Sequence, residues 1–289
     1  MADVNPTTKA YYDKAIQRIR KAVAPDTTGL DFLVETVPVV AWIEAQASNN
    51  SRKTYYSVVK SVLAGRKGGV GDEEALKVYG KHFTAYFKRV KEASLKQEPM
   101  DKEVANGQDP LTWDEAIKAR EQLVKSEDWQ NACLLGCYTY LPPRRCDYAG
   151  MMVVKTIRQT KDTNWNYCLL RKVKPVFIFN KFKTEKTFGQ QTIDIPPALV
   201  TLIHKWRETN QSPWLFIKGN GDPMDTHRLS QHLIEVLERC VGKRAGASLL
   251  RHAFLTDLLK DEKPIADKQP IANMMAHSTH TQELYARKV

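Results

Sequence analysis

Between residues 96 and 110 the chain reads KQEPMDKEVANGQDP, a polar run with one glycine, two prolines and no hydrophobic periodicity. Such a run buries no face, so it reads as a linker that splits the chain into two folding units. The two sides differ in period. From about residue 6 to 95, apolar residues return at helical spacing in four segments, as Tyr11, Ala15, Ile16 and Ile19 do in TTKAYYDKAIQRIRKAV. No segment there reads as a strand, and GRKGGVGD breaks the third helix from the fourth. Past the linker, LTWDEAIKAREQL opens a helix with Thr112 and Glu115 in capping-box spacing. A helix around 128–140 then leads into LPPRRCDY, where two prolines predict a helix start with Arg144 and Arg145 in its first turn. Three strand-like runs follow, NYCLLRK, PVFIFN and QQTIDIP, and then helices again. The expected fold is mainly α with a small antiparallel sheet (α+β): a helical domain over 1–96, a linker over 97–107 and an α+β domain over 108–289.

Charge narrows the partners. Lys and Arg total 44 against 33 Asp and Glu, a net charge of +11 spread along the 289 residues rather than held in one tail. A broad basic surface of that kind most commonly meets nucleic acid. No apolar run approaches the roughly 18 residues of a membrane span, and the N-terminus lacks a signal-peptide core. An intracellular protein with no membrane partner is expected. The five cysteines, at 133, 137, 146, 168 and 240, form no paired C-x-x-C pattern and read as core fillers in a reducing compartment. There is no phosphate-binding P-loop, no dinucleotide glycine fingerprint, no H-E-x-x-H and no G-x-S-x-G. Neither metal, cofactor nor small-molecule substrate is expected.

What remains is a series of cations at places where secondary structure changes. Arg144 and Arg145 follow the proline pair, with Asp147 near enough to hold one guanidinium. Lys181, Lys183 and Lys186 sit on a hairpin turn in NKFKTEKTFG. Arg251 lies among Leu250, Phe254 and Leu258 in SLLRHAFLTDLL, close to a core where an unpaired arginine is costly. The chain ends in MMAHSTHTQELYARKV, where His277 and His280 precede Tyr285 on what reads as a short helix. In the helical domain Arg52, Lys53 and Lys60 interleave with Tyr55 and Tyr56, as on a helix pressed to a DNA backbone or on a solvated helix with a core stripe.

In that order, these motifs resemble the tyrosine recombinases, or phage-type integrases. SLLRHAFLTDLL is similar to the family's H-x-L-R-H helix, NKFKTEKTFG to its lysine hairpin, HSTHTQELY to its ending, and PPRRCDY to the P-P-x-R-x-(D/E) form associated with viruses and mobile elements. The resemblance implies a helical core-binding domain followed by a catalytic domain. It implies a site-specific recombinase or integrase that cuts and rejoins duplex DNA through a 3′-phosphotyrosine, with no need of metal or ATP. Tyr285 would be the nucleophile. Arg251 and Arg145, with Arg144 as the alternative, would clamp the phosphate. Lys183, or else Lys186, would protonate the leaving 5′-oxygen, and His277 would hydrogen-bond the phosphate. Ser248 occupies the position where the family usually has histidine, so either His252 or His280 would assist proton transfer or the rate would be modest. Arg52, Lys53, Lys60, Arg144, Lys181, His252 and His280 would contact DNA. The implied partner is duplex DNA, bound by a homo-oligomer that is a tetramer on paired sites. Its location would follow the DNA, in the cytoplasm of a prokaryote or virus factory or in a eukaryotic nucleus. Topoisomerase or telomere-resolvase activity, or a silent DNA-binding relative, are the alternatives.

Overall fold

The computed structural model describes residues 6–66, 69, 71–96, 107–260, 265–279, 282 and 285. The chain divides into two compact units, Met1–Glu98 and Pro99–Val289. Apart from Gly107, the expected linker lies outside the described residues, and so does His280.

The first unit is helical, as its periodicity predicts. It comprises α1 (Pro6–Val23), α2 (Thr36–Glu44), α3 (Asn49–Ala64) and α4 (Asp72–Leu95). Ser48 caps α3 by accepting from the Ser51 amide at 3.1 Å. The core gathers Ile19, Leu33, Val39, Ile43, Tyr56, Val59 and Tyr79. Tyr56 belongs to that core, and its hydroxyl donates to Glu44 at 2.7 Å, so it is not part of an exposed basic face.

The second unit opens with α5 (Trp113–Lys125), and its capping box is complete. The Glu115 amide donates to Thr112 Oγ1 at 3.2 Å, and the Thr112 amide donates to Glu115 Oε2 at 2.8 Å. Next comes α6 (Trp129–Thr139), buried continuously from Asn131 to Tyr138. It runs close against α8 (Pro197–Thr209) at Gly136, where an added Cβ would come within 2.9 Å of Leu199. Then follow α9 (Thr226–Val241), α10 (Ala247–Leu258) and α11 (Ile265–Met274). Thr279, Gln282 and Tyr285 beyond them are helical.

The sheet corrects the expectation of a purely antiparallel one. Strands β2 (Tyr167–Leu169), β3 (Val176–Phe179) and β4 (Gln191–Asp194) are the three expected, joined antiparallel. A fourth, β1 (Met152–Val154), adds to the edge parallel to β2, with Val153 opposite Cys168. The sheet is therefore mixed, in the order β1-β2-β3-β4. The crossover that parallel pairing requires is the 155–166 connection, which carries a short 3₁₀ turn, Ile157–Thr160. At three residues, β1 is too short to show an alternating pattern.

The expected helix at LPPRRCDY does not form. Residues 141–150 are turns and bends between α6 and β1. The carbonyls that would build a helix are used elsewhere: Arg145 O accepts from Tyr138 Oη at 3.1 Å, and Asp147 O from Asn166 Nδ2 at 2.8 Å. Gly150, at φ 58°, turns the loop into β1. Among the described residues no helix is long and apolar enough to cross a membrane.

Candidate active site

Four segments of the second unit meet at one place: the 141–150 loop, the β3–β4 connection, the start of α10 and the turn after α11. A cavity of about 900 Å³ opens there, with Arg145, Lys181, Lys183, Ser248 and Arg251 on its wall.

Arg144 is buried, at 1 % exposure. It donates through Nε to Asp147 at 3.0 Å, and through Nη1 to Gln191 Oε1 at 2.7 Å and Met274 O at 2.6 Å. Its guanidinium lies over the rings of Phe179 at 4.2 Å and Phe182 at 5.0 Å. Nη2 has no hydrogen-bond partner. One side chain thus ties the proline loop to the hairpin and to the end of α11. Arg145, its neighbour, is exposed on the cavity wall. Burial raises the Asp147 carboxyl above its ordinary range, against the pull of Arg144 and of Arg251 beyond it.

Arg251 is buried on α10 and donates through Nη2 to His277 Nδ1 at 2.7 Å, while its Nε has no partner. An arginine only donates, so His277 Nδ1 accepts and the imidazole proton is on Nε2, which is buried and also unpartnered. Burial, with Arg251 and Arg145 alongside, lowers the His277 pKa from 6.5 to about 4, so the ring is neutral at physiological pH.

Tyr285 is half-buried beside this pair. The Arg251 guanidinium lies 4.7 Å from its ring centre, and the rings of His252 and His277 lie at 4.5 Å and 5.9 Å. His252 Nδ1 donates to Tyr285 O at 2.7 Å. His252 is therefore packed on the tyrosine rather than set on an open surface.

Ser248 is exposed in the first turn of α10, whose N-cap, Gly246, brings no side-chain cap to the helix amides. Gly246, Ala247 and Ser248 all face the cavity, so those amides and the positive end of the helix dipole lie beside it. Lys183 is exposed on the wall, and Lys181 is ion-paired to Glu185 at 3.5 Å. Lys186 falls in the one-turn helix α7 (Glu185–Phe188), off the cavity wall. No group of three or more His, Cys, Asp or Glu that could hold a metal occurs among the described residues.

The basic residues of α3 lie in the other unit. Lys53 faces a small cleft with Tyr11, Tyr12, Phe83 and Phe87, and Lys60 Nζ sits 4.5 Å over Phe83. Arg52 faces differently, toward Tyr86 at 5.8 Å.

Sequence reading missed Asn166, Thr184 and Gln191, each bonded to backbone or side chains far away in the chain. The one local signal was Asn166, a polar residue at the head of an apolar strand run.

The sequence matches no protein-family model and no curated protein. Solved structures do match. The Tn1549 transposon integrase in complex with transposon right end DNA aligns over 100% of this chain and 91% of its own, at 13% identity and a TM-score of 0.56. A lambda integrase tetramer bound to a Holliday junction aligns over 99% and 73%, at 13% identity and a TM-score of 0.54. The XerH site-specific recombinase bound to palindromic difH substrate aligns over 98% and 73%, at 15% identity and a TM-score of 0.52. The chain has the fold of the tyrosine recombinases.

Proposed function

We propose that this protein is a DNA strand-transferase, a site-specific recombinase or integrase that cuts duplex DNA with Tyr285 and rejoins it. One observation carries the reading. Arg144 Nη2, Arg251 Nε and His277 Nε2 are buried nitrogens without an acceptor; Arg251 and His277 lie against the Tyr285 ring, and Arg144 is near enough to Arg251 for the two charges to repel. Buried donors are nearly always paired, and each left alone costs about 1–3 kcal/mol. A non-bridging phosphate oxygen is the acceptor such a set fits.

In the proposed step Tyr285 Oη attacks phosphorus, a P–O bond to tyrosine forms, and the bond from phosphorus to the 5′-oxygen breaks. The phenolic proton passes to His252, whose ring packs on the tyrosine, and the leaving 5′-oxygen takes a proton from Lys183 Nζ. Charge gathering on the phosphate is held by Arg251, Arg144 and the Nε2–H of His277. The Ser248 hydroxyl and the amides at the start of α10 add neutral donors where the family usually has histidine. We assign the second buried clamp to Arg144, because its guanidinium has an unpartnered buried donor and is oriented by Asp147. Arg145, exposed on the wall, meets a neighbouring phosphate. The phosphotyrosine keeps the bond energy, so religation needs neither metal nor ATP. The Lys53–Lys60 face of α3 supplies phosphate contacts in the other unit. Two cognate sites are joined by a homo-oligomer, and the protein resides where its DNA does, with a mobile element or virus as the source that the proline–arginine motif favours.

The test is a suicide-substrate assay in EDTA, using nicked duplexes from the ends of the element that encodes the chain. Wild type forms a denaturation-resistant protein–DNA adduct and Tyr285→Phe forms none. Salt-sensitive binding without an adduct on any duplex would instead mark a catalytically silent DNA binder.

A further inference from the structure

The geometry points to Asn166 as the residue that positions Lys183 for protonation of the leaving group. This inference rests on the strand-transfer reading above.

Asn166 is 6 % exposed at the head of β2, and its amide is fully used. Oδ1 accepts from the amides of Asn180 at 2.8 Å and Lys181 at 2.7 Å. Nδ2 donates to the carbonyls of Asp147 and Lys181, both at 2.8 Å. Two donors meet the oxygen and two acceptors meet the nitrogen, so the amide has one satisfied orientation. Residue 181 is held by both its N–H and its C=O, and the same side chain reaches the loop that carries Arg144. Downstream of Lys183, the neighbouring Thr184 hydroxyl donates to Ala276 O at 3.0 Å, next to His277. Lys183 is therefore the exposed residue of a short segment clamped on both sides, once to the arginine loop and once to the histidine turn.

A lysine ammonium on a flexible four-carbon stem is aimed largely by where its Cα is held. Misplacing a catalytic group by about 1 Å can cost about 10²-fold in rate. All four bonds of Asn166 go to main-chain atoms, so through them it acts on backbone placement. Thr184 is the second tether of the same device.

The experiment compares the duplex that wild type cleaves with the same duplex carrying a 5′-bridging phosphorothiolate. Sulfur leaves as a thiolate near neutral pH and needs no general acid, whose contribution to an oxygen leaving group is about 10²–10⁴-fold. Asn166→Ala is expected to slow adduct formation about 10²-fold more on the oxygen substrate than on the sulfur one, any loss common to both reporting the Asp147 tether to the arginine loop. Lys183→Ala shows the same pattern, and the oxygen-to-sulfur ratio of the double variant is no larger than that of Lys183→Ala alone. Thr184→Val, nearly isosteric, shifts the oxygen-to-sulfur ratio in the same direction by a smaller factor. It carries the test if Asn166→Ala does not fold, as judged by thermal unfolding and binding of uncleaved duplex. Equal losses on both substrates would make Asn166 a staple of the fold only, and so would additive effects on the oxygen-to-sulfur ratio in the double variant. A wild type that forms no adduct on either substrate would remove the strand-transfer reading itself.

Discussion

His277 shows how a side chain is prepared by its neighbours. Burial and two guanidiniums hold the imidazole neutral, and the bond from Arg251 fixes its proton on Nε2. Its pKa in the fold is about 4, against an ordinary 6.5. As the pH drops through that window the unfolded chain takes up a proton that the folded chain refuses, so stability falls with falling pH. The loss is about 1.4 kcal/mol per unit for this group, and it is absent above the window. Urea unfolding at pH 7 and near pH 4.5 is expected to differ by less in His277→Gln than in wild type. The two arginines should separate as sharply. Arg144→Ala leaves Asp147 buried without its guanidinium, which lowers unfolding stability by about 3 kcal/mol and abolishes adduct formation. Arg145→Ala, exposed, leaves the urea midpoint near wild type and weakens DNA binding. An Arg145→Ala protein that folds and binds normally yet never cleaves would return the clamp to Arg145.

At the scale of elements, the ends matter as much as the periods. Glu115 closes the capping box of α5 and also accepts from Lys243, which follows α9, with 2.8 Å to each carboxylate oxygen. Thr112→Ala is expected to cost about 1 kcal/mol, the ordinary value of a cap. Glu115→Ala should cost more because it also unties Lys243, and denaturant midpoints of the two variants test the order. The helices were readable because each carries a long apolar stripe, and the lysine hairpin because two apolar strands flank polar residues. Strand β1 was not, since three residues establish no period and its partner is set by a crossover. The arginine loop was misread as a helix start because proline chemistry is local, whereas the Tyr138 and Asn166 bonds that hold the loop open are tertiary. Adjacent arginines look alike in sequence, and only the fold turns one inward and one outward. The roles of Asn166 and Thr184 were not legible for the same reason, since their partners are main-chain atoms 15 and 92 residues away, although Asn166 stood out as a polar residue heading an apolar run.

At the scale of the whole molecule, the excess of positive charge belongs to both units, so affinity for duplex DNA should have a large counterion-release component. Binding by Tyr285→Phe is expected to weaken by about 10³-fold or more between about 50 mM and about 200 mM salt, with EDTA without effect. A shallow salt dependence would speak against a long phosphate footprint. The unpartnered nitrogens of Arg144, Arg251 and His277 have one further consequence, for how long each molecule lasts. A ligand that satisfies them binds the folded state alone, so occupancy and folding share one mass-action equilibrium, worth about 2.7 kcal/mol at a hundredfold excess over Kd. Orthovanadate or cognate duplex should raise the melting temperature of wild type and move Arg251→Ala far less. Copies without DNA are then the ones that open most often and meet proteases first, so turnover would select for molecules already seated on their substrate.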